Sequence, residues 1–398
     1  MTPLRERIRA LFRPGPEQRV GVEVEAIPVA TETGRPVGSN DLVRAVRSLA
    51  AERGWPESTN YAGAPSFSTP SGGLLTFEPG GQIEYATAPM LHLGRLDDDV
   101  QGTLRPLGER LAEEGVRLLS RGLDPSTPLS DTRLHVAGER YSRMTEHLGR
   151  IGPSGHRMMR QTAALHLNVD VAGPPFEGWR AACAIAPALL AAFANSPWSE
   201  GRPTGHRSTR AAQWRLLDPS RTGLVATGPD PVGEYLEFAL GARAFLLGPA
   251  GVPARPFEAW LPDANDAQTE AHLSTLFPEV RPRGYLEVRS VDALPLRWIA
   301  VPTALVVGLL FHPTARAEAA ATPAWTEEEL ERAGRCGLSD PAIAARVDRL
   351  FDLAESGLAS LDTEVAPDVI RDRVRDYRRT MTDLRLDPGA TEAGDLIG

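Results

Sequence analysis

Apolar and ionisable residues alternate along four short stretches of this chain: 20–25, 74–85, 164–170 and 285–289. Alternation with a period of two predicts half-buried β-strands. Glu23 with Glu25, His166 with Asn168 and Asp170, and Glu287 with Arg289 then share one face. Val22, Val24, Leu165, Leu167, Leu286 and Val288 share the other. The second stretch reads as two strands joined through Pro79-Gly80-Gly81, where the glycines let the backbone bend and bring Glu78 and Glu84 to one place. Side by side, such strands make a sheet with an apolar back and a front crowded with carboxylates. That front repels itself unless cations sit in it, most simply Mg²⁺ ions holding phosphates.

Between the strands the period changes to that of a helix. Leu42, Val43, Val46 and Leu49 predict a helix over 41–53, with Ser39, Asn40 or Asp41 as its cap and Gly54 as its stop. Leu93, Val100, Leu104, Leu107 and Leu111 predict another, which Gly115 ends before a strand at 116–121. Residues 56–73 are rich in Ser, Thr, Pro and Gly and read as a mobile loop, and 122–160 read as irregular with short helices around 141–147. An Ala-rich helix interrupted by Pro187 follows at 176–195, then an arginine-dense loop or broken helix at 202–221. The longest apolar run, 298–311, is shorter than the roughly 20 residues of a membrane span and reads as a buried helix. Two more helices, carrying Ile343 to Leu361 and Ile370 to Met381, precede a tail from Asp387 expected to be disordered. Strands and helices do not repeat as βαβ units and no GxGxxG follows the first strand, so an α+β fold on an antiparallel sheet is expected, not a dinucleotide-binding one.

Composition narrows the chemistry. The chain of 398 residues is 42% hydrophobic and 24% charged, ordinary for a globular protein with a large core. A net charge of −9 leaves no basic surplus for nucleic acid. Residues 1–13 lack the apolar core of a secretory signal, and Cys183 and Cys336 are too distant in sequence to suggest a disulfide framework. A cytoplasmic protein with neither membrane nor nucleic acid as partner is expected. All 43 basic residues are arginine. This excludes a P-loop lysine, a Schiff base and pyridoxal chemistry, and leaves arginine, backbone amides or metal to hold phosphates and carboxylates.

A lone pair such as Glu23 and Glu25 is most simply a solvated strand face. Glutamate is depleted in strands, however, and Glu78, Glu84 and Glu287 repeat the pattern. His166 alone reads as structural; on one face with Asn168 and Asp170 it becomes a candidate ligand. The eight histidines form neither HxH nor HExxH, which speaks against a zinc hydrolase, and a glutamate-rich site prefers Mg²⁺ or Mn²⁺. Arg202, Arg207, Arg210, Arg215 and Arg221 surround Trp214 in sequence. A solvated arginine face explains most of them, and one or two suit a substrate carboxylate. Asn195-Ser196-Pro197 reads as a turn ending the preceding helix.

Six motifs in order resemble the glutamate–cysteine ligase family of the plant and actinobacterial type, including its ergothioneine-pathway branch. They are Gly21-Val22-Glu23-Val24-Glu25, Phe77-Glu78-Pro79-Gly80-Gly81-Gln82-Ile83-Glu84, Leu165-His166-Leu167-Asn168-Val169-Asp170, Phe193-Ala194-Asn195-Ser196-Pro197, Arg207-Ser208-Thr209-Arg210 with Trp214 and Arg221-Thr222-Gly223, and Arg281 through Arg289. His166 stands where plant-type members often carry Gln and is similar in this to bacterial glutathione-pathway enzymes. The resemblance implies a glutamine-synthetase-like fold, a curved antiparallel sheet with helices on its apolar face, Mg²⁺ and ATP on its concave face, and a helical C-terminal region. The corresponding division is a catalytic domain at 1–315, a helical region at 316–386 and a tail at 387–398. In the implied reaction the γ-carboxylate of glutamate attacks the γ-phosphate of ATP, and the amine of cysteine, or of another acceptor, displaces phosphate. By position the resemblance implies Glu23, Glu25, Glu78, Glu84, His166 and Glu287 as metal ligands and Glu84, Glu287 and Arg289 as catalytic. It likewise implies Gln82, Arg210, Trp214 and Arg221 as substrate-binding, and Glu23, His166, Asn168 and Arg289 as ATP-binding. A metal-dependent hydrolase and a non-catalytic nucleotide-binding relative are the competing expectations.

Overall fold

Glu23 and Glu25 lie on the strand that joins the two halves of a nine-stranded sheet. A computed structural model describes residues 2–397 except 14, 16, 61, 62, 137 and 391–393. Its strands are β1 (Val20–Ala30), β2 (Glu57–Thr59), β3 (Pro65–Ser68), β4 (Leu74–Phe77), β5 (Ile83–Ala86), β6 (Val116–Leu119), β7 (Ala164–Val169), β8 (Trp198–Ser199), β9 (Arg202–Pro203), β10 (Val280–Pro282) and β11 (Leu286–Asp292). The order across the sheet is β10-β11-β7-β1-β5-β4-β3-β2, with β6 on the second half of β1, while β8 and β9 form a separate hairpin. Every pairing within the large sheet is antiparallel. The α+β architecture on an antiparallel sheet expected from the alternation is the one observed.

The apolar row is buried as the alternation requires: Val22, Val24, Leu165, Leu167 and Val288 are enclosed. Helices Pro175–Ala192 and Leu296–Phe311 back these strands. The second is apolar on all sides, so it must be enclosed on all sides. Helices Leu93–Glu113, Pro313–Ala320, Pro341–Ser360 and Asp368–Tyr377 surround it. Its crossing with Pro341–Ser360 is backbone on backbone, since a Cβ on Gly357 would fall 1.9 Å from the Gly308 carbonyl oxygen. Each fully buried Leu or Val there contributes about 1.5–3 kcal/mol. The apolar core runs unbroken from Leu4 to Leu396. No single helix among the described residues is long and apolar enough to cross a membrane.

Two expectations are corrected, and two helix readings are refined. The loop expected at 56–73 holds β2 and β3, because Phe67 is fully buried and Ser58 and Ser66 bond across the pair; residues 61 and 62 lie outside the described residues. In the polar stretch 122–160 the helix expected around 141–147 is present as Glu139–Ile151, and a second helix, Ser154–Gln161, follows it; Met144, Leu148 and Met159 of the two pack together. The tail from Asp387 is ordered where described: Leu396 is fully buried and its N–H donates to the Leu118 carbonyl, while Ser120 N–H donates to Gly394. A buried leucine and several backbone bonds outweigh a polar, Gly-containing composition. The helix expected at 41–53 starts at Ser39 with Gly38 as its cap and no side-chain bond there; Gly54 closes it in the left-handed conformation.

Candidate active site

Strand register brings the acids together. Glu23 stands opposite His166, Glu25 opposite Glu84, and Glu287 opposite Asn168 on one side and Arg281 on the other. Glu78 arrives from the β4–β5 turn, which is wedged in place: a Cβ on Gly80 would lie 2.5 Å from the Arg160 backbone, and Gly81 takes φ +88°. A cavity of about 520 Å³ opens on this face, and all six predicted metal ligands line it. Gln82, Arg210, Trp214 and Arg289 line it too.

Three electrostatic environments meet there. Glu23 accepts from Asn168 Nδ2 through Oε1 at 2.9 Å and pairs with His166 Nδ1 through Oε2 at 2.9 Å. Burial works against its charge, but the His166 bond and charge hold it below the ordinary carboxyl range. Glu78 and Glu84 are the opposite case. Burial, then Glu25 and Glu23, push Glu78 up to about 8; burial, then Glu78, push Glu84 well above its ordinary value. Glu287 is fully buried and clasped by Arg281, with Nε at 2.5 Å and Nη2 at 2.8 Å, while Arg289 Nη1 is at 3.1 Å. Burial opposes its charge, yet Arg289 and Arg281 keep it far below the usual range.

The geometry fits a divalent cation at the first of these environments. Glu23, His166 and Glu287 each bring one ligand atom within 4.8 Å of the others. His166 Nε2 is buried without a hydrogen-bond partner among the described residues, while its Nδ1 is oriented by Glu23. An imidazole held by one nitrogen and bare at the other is the arrangement of a metal ligand. Glu287 is the least free of the six, since its oxygens already accept from arginine.

The opposite wall is cationic and aromatic. Arg289 lies beside the edge-packed pair Trp214 and Phe277, at 5.5 and 5.8 Å from their centroids, and Arg210 Nη2 donates to the Arg289 carbonyl at 2.8 Å. Arg140, Tyr141, Met144, Met158, Met159, Ser274 and Phe277 also line the cavity, and the motifs did not single them out as site residues. Those before residue 160 come from the two helices of the polar stretch, of which the second, Ser154–Gln161, was not expected. Arg281 had a signal: it lies three positions before Gly284 and Glu287 three after, so a hairpin centred on Gly284 pairs the two, as observed.

Three predicted site residues do something else. Arg221 is absent from the cavity wall. It is fully buried, donating to Asp218 Oδ2 at 3.2 Å and to the Thr275 carbonyl at 2.7 Å, and it lies over Phe245. Asp218 also meets His147 Nε2 at 2.9 Å, so this cluster ties three segments of the cavity's surround together. Gln82 touches the cavity, but its Oε1 accepts from Gly80 N–H and its Nε2 donates to the Thr162 carbonyl, so it braces the turn. Asn168 stands behind Glu23 and does not line the cavity.

A family model for glutamate–cysteine ligase family 2 matches residues 19–397. The chain belongs to that family. As a member it is an ATP-dependent carboxylate–amine ligase. It is 34% identical over 350 residues to glutamate–cysteine ligase EgtA of Mycolicibacterium smegmatis, covering 82% of this chain and 77% of that one. It is 29% identical over 382 residues to the chloroplastic glutamate–cysteine ligase B of Oryza sativa, covering 87% and 75%. Among solved structures, the glutamate–cysteine ligase of Francisella tularensis in complex with AMP shares the fold with a TM-score of 0.57 at 14% identity, covering 95% of this chain and 84% of that one.

Proposed function

We propose that this family member joins the γ-carboxylate of glutamate to the amine of cysteine through γ-glutamyl phosphate, releasing ADP and phosphate. The observation that carries the reading is the single cavity in which six acidic or imidazole ligands face Arg289 and Arg210. Mg²⁺ or Mn²⁺ would be held by Glu23, His166 and Glu287 and by Glu25, Glu78 and Glu84, and would supply charge neutralisation for the polyphosphate of ATP.

The chain's own residues supply positioning and fixed charge. Arg289, packed beside two touching aromatic rings, presents a permanent cation toward the transferring phosphoryl group. Arg210, with Trp214 beside it, anchors the acid substrate so that its γ-carboxylate oxygen can attack phosphorus and ADP can leave. The acceptor nitrogen then attacks the acyl carbon and phosphate departs.

The test is ADP release with glutamate across a panel of amines, with and without Mg²⁺. Release that requires glutamate, Mg²⁺ and cysteine is expected. A thiol-free amine that supports release as well as cysteine would replace cysteine as the acceptor. No release under any condition would sink the ligase reading.

A further inference from the structure

The turn at Asn195-Ser196 and the helix that carries Arg210 and Trp214 hang from one buried carboxylate. Asp292, the last residue of β11, is fully shielded from solvent and lies three positions beyond Arg289. Its Oδ2 accepts from the Asn195 N–H at 2.8 Å and from Ser196 Oγ at 2.7 Å. Its Oδ1 accepts from Ser208 Oγ at 3.0 Å and lies 3.6 Å from Arg210 Nη1. The direction of these bonds follows from what each hydroxyl does on its other side. Ser196 Oγ accepts from the Arg210 N–H at 3.1 Å, and Ser208 Oγ accepts from the Ala211 N–H at 3.1 Å. Each serine therefore has its own proton to give, and both protons go to Asp292.

This arrangement fixes the first turn of helix Thr209–Arg215 at both ends of a short relay, with Ser208 as the helix cap. It also fixes the Arg210 guanidinium, held between the Asp292 carboxylate and the Arg289 carbonyl. The carboxylate has no room to move aside, because a Cβ on Gly122 would fall 2.3 Å from Asp292 Cγ. Three hydrogen-bond donors and one arginine ion pair converging on two oxygens make a rigid mount.

We propose that Asp292 is a positioning residue for the acid substrate: through Ser196 and Ser208 it sets where Arg210 stands in the cavity. This inference rests on the reading of Arg210 as the substrate's anchor. It assigns a purpose to Asn195-Ser196, which in sequence looked like a plain turn, and it separates Arg207-Ser208-Thr209-Arg210 into a cap and a ligand.

The experiment measures kcat, glutamate KM and ATP KM by ADP release for Asp292→Asn, Ser208→Ala and Arg210→Gln, with Tm for each. Asp292→Asn keeps the shape but turns one acceptor into a donor; we expect glutamate KM to rise about 10-fold or more with ATP KM changed less than about two-fold. Ser208→Ala removes one leg and should raise glutamate KM by roughly 2- to 5-fold. A merely structural carboxylate would lower Tm and active fraction while leaving glutamate KM alone, and that result overturns the proposal. If Asp292→Asn does not fold, an unchanged glutamate KM in Ser208→Ala overturns it equally. An Arg210→Gln variant with normal glutamate KM removes the anchor reading and this inference together. A raised KM in Arg210→Gln alone, with the other two normal, removes only the inference.

Discussion

Glu25 and Glu84 face each other directly across β1 and β5, two neighbouring antiparallel strands. Like charges in directly opposed positions destabilise a sheet. The pair is not isolated, since burial and then Glu78, Glu23 and Glu25 hold the Glu84 carboxyl in its protonated form well above the ordinary range. The centre of this sheet is therefore arranged against its own stability, which is the signature of a site built for something that arrives later.

Glu84→Gln should split stability from activity. Removing one of the opposed acids is expected to stabilise the metal-free protein at pH 8 by about 0.5–1 kcal/mol. ADP release should fall by roughly 100-fold or more. Calorimetry beside the ADP assay checks both; a less stable variant, or near-normal turnover, contradicts the assignment.

The same acids predict an unusual pH dependence. Glu78 has an ordinary value of 4.5 and is raised to about 8 in the fold. Its protonated form is the one the fold favours, so its contribution is complete at or below about pH 4.5 and is lost as pH rises through about 8. In EDTA, Tm should fall between about pH 5.5 and 8, and the increase on adding Mg²⁺ should be larger at pH 8.5 than at pH 5.5. An Mg²⁺ effect that shrinks with rising pH would count against Glu78 and Glu84 as ligands.

Glu287→Gln behaves differently, although its place in the sequence looks equivalent. Its carboxylate neutralises Arg281 in a buried bidentate pair. Breaking such a pair from one side costs about 3–5 kcal/mol. Urea denaturation should show that loss in metal-free protein, and a variant as stable as the parent would show that the clasp is not structural.

Arg221→Met tests the correction made to the substrate-binding set. It leaves Asp218 buried and short of one partner, so Tm should drop while glutamate KM of the folded fraction stays within about two-fold. A raised glutamate KM at unchanged Tm would return Arg221 to the cavity.

Much of this was legible in the chain. The two-residue period around Glu23, His166 and Glu287 identified the strands and the face each side chain occupies, because a sheet buried on one side fixes register. The Pro79-Gly80-Gly81 turn was legible for the same reason. What failed was of two kinds. The strand carrying Phe67 is anchored by a single apolar side chain, and the tail by a few scattered ones, Pro388, Leu396 and Ile397, in a polar setting; neither makes a period. Arg221 and Gln82 carry groups suited to a ligand, but besides their near neighbours Asp218 and Gly80 they are occupied by Thr275 and Thr162, which are distant in sequence and have no local signal.

The pairing of β1 with β7 has a kinetic consequence. Glu23 and His166 meet across 143 positions of chain, so the acid face forms only after long-range strand pairing. A divalent ion can grip that face only once both strands are in register, on the native side of the folding barrier. Mg²⁺ should accordingly slow unfolding and leave the folding rate nearly unchanged. Stopped-flow folding rates that rose with Mg²⁺ would place the acid face in the folding nucleus instead. If a cation binds there, the repulsion in the sheet would set how long the protein lasts between encounters with it, as well as what the site can bind.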